Sequence, residues 1–318
     1  MATPTEALPS RADIVAAAER IGPHVRRTPM LAVGAEVVGA GPAELKLELL
    51  QHTGSFKPRG AFNRVLTADV PETGIIAASG GNHAAAVAHV GQALALPTEI
   101  FVPEAAPPIK LRRLESYPAT VTRCGSLYDD AQAASDERAQ ATGALVVHPY
   151  DLADVIAGQG TVGREIEQDG AGADTVLVAV GGGGLIAGVA GWFRGDARVV
   201  AVEPATSRCL GAALDAGRPV AVDVSGLASD SLGARQVGDL AHAAAAAWVD
   251  RAVTVTDEAI AEAQHALWER LRLVVEPGGA AAVAALRSGS YVPSDGERVV
   301  AIVCGANTDP ATVQHEVR

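Results

Sequence analysis

The chain has 318 residues, with 37 Asp and Glu against 25 Lys and Arg, a formal net charge of −12 at pH 7. Nucleic acid and anionic membrane surfaces call for basic protein, and base stacking calls for aromatic rings, here only 3% of residues, so neither is an expected partner. A hydrophobic content of 48% with 19% charged residues describes a globular chain, with material for two domains or one large α/β domain.

Residues 1–20 are polar and lack the charged-then-apolar order of a secretory signal. Beyond them, short β-branched runs alternate with Ala-rich helical stretches. A predicted strand at 74–78 leads to a helix at 84–95, one at 99–102 to a helix at 109–115, and one at 120–123 to a helix at 130–141. The next pairs are 145–148 with 155–168, and 175–180 with 185–193; a strand at 199–203, helices at 258–272 and 280–286, and a strand at 299–304 follow. Thr256 ahead of Asp257 and Glu258 reads as a helix start, a capping hydroxyl before acids in the first turn. Such alternation implies an α/β fold of parallel or mostly parallel sheets flanked by helices. It restarts near 71–74 and near 148–151. The expected division is therefore a large domain of residues 1–70 and 149–318, with a smaller one of residues 71–148 inserted in it.

Residues 175–193 form a 19-residue stretch without charge, about long enough to span a bilayer. Four consecutive glycines interrupt it, so it reads as strand, turn and buried helix, and no membrane span is expected. Cys124, Cys209 and Cys304 lie far apart and form no CxxC pair, which fits free thiols in a reducing cytoplasm.

Gly181 to Gly184 sit between a strand and a helix. Bare backbone there exposes several N–H groups beside the positive end of a helix dipole, which suits a phosphate. The same residues allow a rival reading. Gly182-x-Gly184-x-x-Ala187 matches a dinucleotide fingerprint, and Glu203 ends the next strand where a ribose-binding acid belongs, as in an NAD-dependent dehydrogenase. A second junction of like form, Ser79-Gly80-Gly81-Asn82-His83, follows the strand at 74–78. Two such junctions suggest two anionic groups, such as a phosphate and a carboxylate, and the dinucleotide reading has no use for the second.

Only three of the 25 basic residues are lysines: Lys46, Lys57 and Lys110. Lys57 lies in the Gly-rich run His52-Thr53-Gly54-Ser55-Phe56-Lys57-Pro58-Arg59-Gly60. A guanidinium stays protonated, whereas a lysine amine made neutral by its surroundings forms a Schiff base. A carbonyl cofactor that bears a phosphate and pairs with such a lysine is pyridoxal 5'-phosphate.

Taken in order, Ser55 to Ala61, Ser79 to His83, Gly181 to Leu185 and Cys304-Gly305-Ala306-Asn307 resemble the serine/threonine dehydratases (threonine ammonia-lyases) of the fold-type II pyridoxal-phosphate enzymes, whose fold is tryptophan synthase β-like; serine racemase is similar. The resemblance covers nearly the whole chain. It implies Lys57 as the catalytic Schiff-base lysine, which later moves the Cα proton. It also implies Phe56 against the cofactor ring, Asn82 on its 3′ oxygen, and Gly181, Gly182, Gly183, Gly184 and the Leu185 N–H on its phosphate. Glu276 matches a glutamate near the cofactor in relatives. Cys304 falls against the pyridine nitrogen, where most dehydratases have serine. Ser79, Gly81, Asn82 and His83 would receive the substrate carboxylate.

The implied activity is β-elimination of water from L-serine or L-threonine, giving a 2-oxo acid and ammonia; another 3-hydroxy amino acid such as 3-hydroxyaspartate is an alternative. Closure of the small domain over the substrate and a cytoplasmic homodimer are the family expectations. Two positions depart from relatives. Gly80 stands where serine racemase has its opposite-face serine, so racemisation is not expected. Glu203, Ser207 and Cys209 match a metal-binding set in which Cys209 replaces an aspartate, so no metal is expected and Glu203 is only a weak candidate ligand. The short stretch after Cys304 has no room for the C-terminal regulatory domain of biosynthetic threonine dehydratases, so feedback control through such a domain is not expected.

Overall fold

Strands of β-branched and small apolar residues pair here into two sheets. The computed structural model describes residues 8–313 except 105, 107 and 127, so part of the polar opening stretch, residues 1–7, lies outside the described residues. The strands are β1 (Met30–Val33), β2 (Ala43–Lys46), β3 (Ile75–Ala78), β4 (Thr98–Val102), β5 (Thr120–Arg123), β6 (Leu145–Val146), β7 (Thr175–Ala179), β8 (Arg198–Pro204), β9 (Val249–Val255) and β10 (Val299–Ile302). One sheet runs β1-β2-β10-β7-β8-β9 and is parallel except where β1 meets β2. The other runs β5-β4-β3-β6 and is parallel throughout. Two mostly parallel sheets flanked by helices are what the alternation predicted. β3, β7 and β10 are buried at every position, as parallel strands covered on both faces must be.

Three strands escaped the periodicity. β2 carries Glu44 and Lys46, β9 carries Asp250 and Arg251, and β1 is a four-residue edge strand. β6 stops at Val146, short of the predicted 148, because the chain turns there. The His148 Nδ1 accepts N–H bonds from Tyr150 at 3.3 Å and Asp151 at 2.9 Å. The helix Asp257–Leu271 starts as read, with the Thr256 hydroxyl accepting the Ala259 N–H at 3.2 Å. Among the described residues, no helix is long and apolar enough to cross a membrane.

The helix Lys57–Thr67 is fixed more firmly than its sequence suggests. Gly60 and Gly158 let it touch the helix Ala153–Asp169 backbone to backbone. A Cβ on Gly60 would lie 2.9 Å from the Val155 carbonyl oxygen, and one on Gly158 2.5 Å from that of Arg59. Beside this contact a buried ionic cluster gathers residues distant in sequence. Arg59, Glu48 and Lys46 are 0% exposed. Arg59 donates to Glu48 through Nε and Nη2, both at 2.8 Å, and to Glu165 through Nη1 at 2.7 Å and Nη2 at 2.9 Å. Lys46 Nζ donates to Glu165 and to the Thr28 carbonyl, each at 2.7 Å.

Burial alone would raise the Glu165 pKa, but Arg59 and Lys46 hold it below its ordinary value of 4.5. The ionised Glu165 therefore adds stability that is present above pH 4.5 and is lost as pH falls through the lowered pKa. Removing one partner of such a cluster strands the other charges away from water. Arg59→Met is expected to cost about 3–5 kcal/mol in urea unfolding at neutral pH. A cost under ~1 kcal/mol would mean that surface pairing, not burial, governs the cluster.

Candidate active site

Both glycine-rich junctions open on the same space. β7 ends at Ala179 and the chain crosses Gly181–Gly183 into the helix Gly184–Phe193; Gly183, at φ 94°, takes the left-handed turn that aims the helix start inward. A Cβ on Gly183 would lie 2.5 Å from that of Ala241, and one on Gly182 would lie 2.3 Å from the Tyr150 ring. Side chains are therefore excluded from this turn, and its surface is backbone.

β3 ends at Ala78, and the helix Asn82–Leu94 begins two residues earlier than predicted, with Gly81 as its cap. Gly81 N–H donates to the Ser79 hydroxyl at 3.1 Å. Asn82 and His83 thus occupy the first turn, whose N–H groups lack partners within the helix. The two helix starts line one cavity of about 870 Å³.

That cavity brings together the residues singled out from sequence: Phe56, Lys57, Ser79, Gly81, Asn82, His83, Gly181 to Gly184, Leu185, Glu276 and Cys304 all line it. Lys57 is the first residue of its helix, and its Nζ donates to the Pro149 carbonyl at 2.8 Å, 5.2 Å from the Phe56 ring centre. Burial draws the Lys57 pKa down to about 8, against the opposing pull of Cys304 and Glu276. A neutral amine is accordingly within reach at ordinary pH.

Glu276 is buried and takes the Asn82 Nδ2 donor at 2.6 Å; burial raises its pKa to about 7. Burial pushes the Cys304 thiol up as well, and its Sγ lies 3.5 Å from the Gly278 carbonyl oxygen, so it stays neutral. The His83 imidazole is paired away from the cavity. Its Nε2 lies 2.7 Å from the Val147 carbonyl oxygen, and burial lowers its pKa to about 3. A carbonyl only accepts, so Nε2 carries the hydrogen and the neutral ring keeps no N–H for an anion. What His83 offers an anion is its backbone N–H.

Glu203 does not join them, which counts against the ribose-binding reading of that residue. It is 0% exposed, outside the cavity, and its two oxygens accept the N–H groups of Leu210 at 2.7 Å and Gly211 at 2.8 Å, at the start of the helix Cys209–Ala216. The neighbouring Cys209 thiol donates to the Gly181 carbonyl at 3.2 Å. Among the described residues, no group of three or more His, Cys, Asp or Glu could hold a metal ion.

The sequence reading missed part of the wall. Tyr150, Asp230 and Arg235 line the cavity, and Lys110 pairs with Asp230 beside Gly81. None of these sits in a glycine-rich junction. The scarcity of lysine was the one available signal, and it marked Lys110 as well as Lys57.

A family model described as pyridoxal-phosphate dependent enzyme matches residues 21–305. The chain is 36% identical over 304 residues to an L-threonine ammonia-lyase of Thermotoga maritima, covering 93% of this chain and 75% of the relative. The structure is similar to that of maize serine racemase, with a TM-score of 0.90 and 31% identity, covering 96% of each chain. It is also similar to the processed form of threonine deaminase isoform 2 from Solanum lycopersicum, with a TM-score of 0.87 and 30% identity, covering 95% of this chain and 90% of that one.

The glycine turn is directly testable. Gly183→Ala places a side chain both in the left-handed region and against Ala241. It is expected to lose about 1–2 kcal/mol in urea unfolding, along with the rise in melting temperature that inorganic phosphate gives the parent. An unchanged phosphate response would show that the anion site lies elsewhere.

Proposed function

Since this chain belongs to the family of pyridoxal-phosphate dependent enzymes, we propose that it removes water from L-threonine or L-serine and releases a 2-oxo acid and ammonia. The observation that carries the reading is the single cavity holding a depressed-pKa lysine between two helix N-termini. The residues fit the cofactor. The turn has no space for side chains at Gly182 and Gly183 and offers N–H groups that suit a phosphate, and the Lys57 amine stands across the same cavity. Gly181 to Gly184 and the Leu185 N–H would hold the phosphate, Phe56 the ring, Asn82 the 3′ oxygen and Cys304 the ring nitrogen. When bound, the cofactor supplies a carbonyl for amines and a ring that accepts the electron pair left at Cα.

The chain's own part is to bind, orient and move one proton. N–H groups at Gly81, Asn82 and His83, with the Ser79 hydroxyl, would take the substrate carboxylate at the positive end of the helix Asn82–Leu94. Lys57 Nζ, neutral above about pH 8, would accept the Cα proton. Cys304, as a neutral thiol, would put no negative charge beside a bound ring nitrogen, which would favour prompt loss of the β-hydroxyl as water. Gly80 lines the cavity without a side chain, so no acid there returns a proton to the face opposite Lys57. Racemase activity is accordingly outside the proposal.

Residues 71–148 would act as a small mobile domain that closes over the substrate, and the ion pair of Lys110 with Asp230 supports this by bridging the cleft. The three thiols are free, which fits the cytoplasm, and homodimerisation is part of the same reading. One observation favours an acidic substrate as a second reading. Arg235 lines the cavity, and among the described residues it has no ion-pair partner, so 3-hydroxyaspartate belongs in the panel.

Purified protein with pyridoxal phosphate is expected to release 2-oxo acid from L-threonine or L-serine, and Lys57→Ala to lower that rate at least about a hundredfold. A parent that stays colourless with added cofactor would sink the proposal. Below about pH 8 the Lys57 amine becomes protonated. The rate of the proton-transfer step should then fall about tenfold per pH unit; a flat profile down to pH 6 would exclude Lys57 as the base.

A further inference from the structure

The helix Pro108–Leu114 connects β4 to β5 on the four-stranded side of the cleft, yet two of its charged side chains end on the other side. Lys110 reaches Asp230, and Arg113 Nη1 donates to the Asn307 Oδ1. The second contact continues inward. Asn307 Nδ2 donates to the Thr53 carbonyl at 2.9 Å and also to Asn82 Oδ1, while Asn82 Nδ2 donates to Glu276 Oε1 at 2.6 Å. Gly54 makes room for it: a Cβ there would lie 2.8 Å from Asn307 Oδ1 and 3.6 Å from Arg113 Nη2.

A carboxamide has one accepting end and one donating end, and little else distinguishes its two orientations. Arg113 has donors only, so Asn307 must turn its oxygen toward it. The Asn307 nitrogen then faces the Thr53 carbonyl and Asn82, which turns the Asn82 oxygen outward and its nitrogen toward Glu276. Flipping either amide would set donor against donor on the side nearer Arg113 and oxygen against oxygen on the other. A donor-only side chain at one end and a carboxyl at the other thus specify the polarity between them.

We propose that Arg113 is a positioning residue for the reaction: through Asn307 it fixes the Asn82 carboxamide with its nitrogen toward Glu276, leaving the second Nδ2 hydrogen for the cofactor oxygen. The Thr53 carbonyl favours the same orientation, and Arg113 reinforces it while the helix Pro108–Leu114 lies against Asn307, which couples the readiness of Asn82 to closure of the cleft. This rests on the proposed function above, because it places the cofactor beside Asn82.

The test compares the holoenzyme parent with Arg113→Met and Arg113→Lys. Each is assayed for kcat and KM with L-threonine, for pyridoxal phosphate affinity by titration of the apoprotein, for the pH dependence of the cofactor's visible band, and for melting temperature. Arg113→Met is expected to lower kcat about tenfold, the loss of one charge-assisted hydrogen bond. KM should change much less, cofactor affinity should weaken, and the pH dependence of the band should move. Arg113→Lys, again a donor-only cation, should recover most of each effect at unchanged melting temperature. Arg113→Met matching the parent in kcat and band would overturn the inference, as would equal impairment of both variants. A parent that neither binds the cofactor nor releases 2-oxo acid would instead bring down the functional reading and this inference with it.

Discussion

The placement of Lys57 depends on the burial of Arg59. Two residues past the lysine, its guanidinium is 0% exposed and joins Glu48 from one side and Glu165 from the other. These carboxylates come from segments on either side of the helix Lys57–Thr67 in sequence. The ionic cluster therefore sets the depth and rotation of that helix, while the glycine contact at Gly60 and Gly158 sets its distance from the next. Such clusters add little net stability over apolar packing, because desolvation offsets the attraction. They do specify geometry, since any displacement separates charges in a medium that cannot screen them. A lysine that must be both recessed and reachable requires such a fixed base.

A second constraint explains how a chain of net charge −12 can present a site for an anion. The attraction does not come from accumulated basic side chains. It comes from the starts of the helices Asn82–Leu94 and Gly184–Phe193, which deliver backbone N–H groups and the positive ends of two dipoles to one cavity. Local backbone, and not the overall charge, governs the pocket. The glycines at 182 and 183 are the steric condition for this, because side chains there would collide with Tyr150 and Ala241.

The three lysines show how far the residues could be read and where reading failed. Each occupies a position where a compact ammonium meets a particular partner. Lys57 stands in the cavity wall, Lys46 is wholly buried against Glu165, and Lys110 crosses the cleft to Asp230. Their scarcity flagged all three, but the Gly-rich neighbourhood assigned chemistry only to Lys57. Nothing local distinguishes Lys46, in a strand that its charges kept from being recognised. Glu203 misled for the converse reason. It occurs where a ribose-binding acid belongs, but its oxygens cap a helix that begins a few residues later, at Leu210 and Gly211.

What the amino-acid order determines by itself is whatever rests on neighbours in the chain. This covers the strand–helix alternation, the two glycine-rich turns, the Thr256 cap, and a lysine set where an amine rather than a guanidinium is useful. The tertiary structure decided everything that needs partners from distant segments. Examples are the pairing of β2 between β1 and β10, the ionic cluster under Lys57, the neutral state of Cys304, and the row from Arg113 through Asn307 and Asn82 to Glu276. Turn geometry and capping are set within a few residues. Burial, pKa and amide orientation depend on what the folded chain brings against a group from elsewhere.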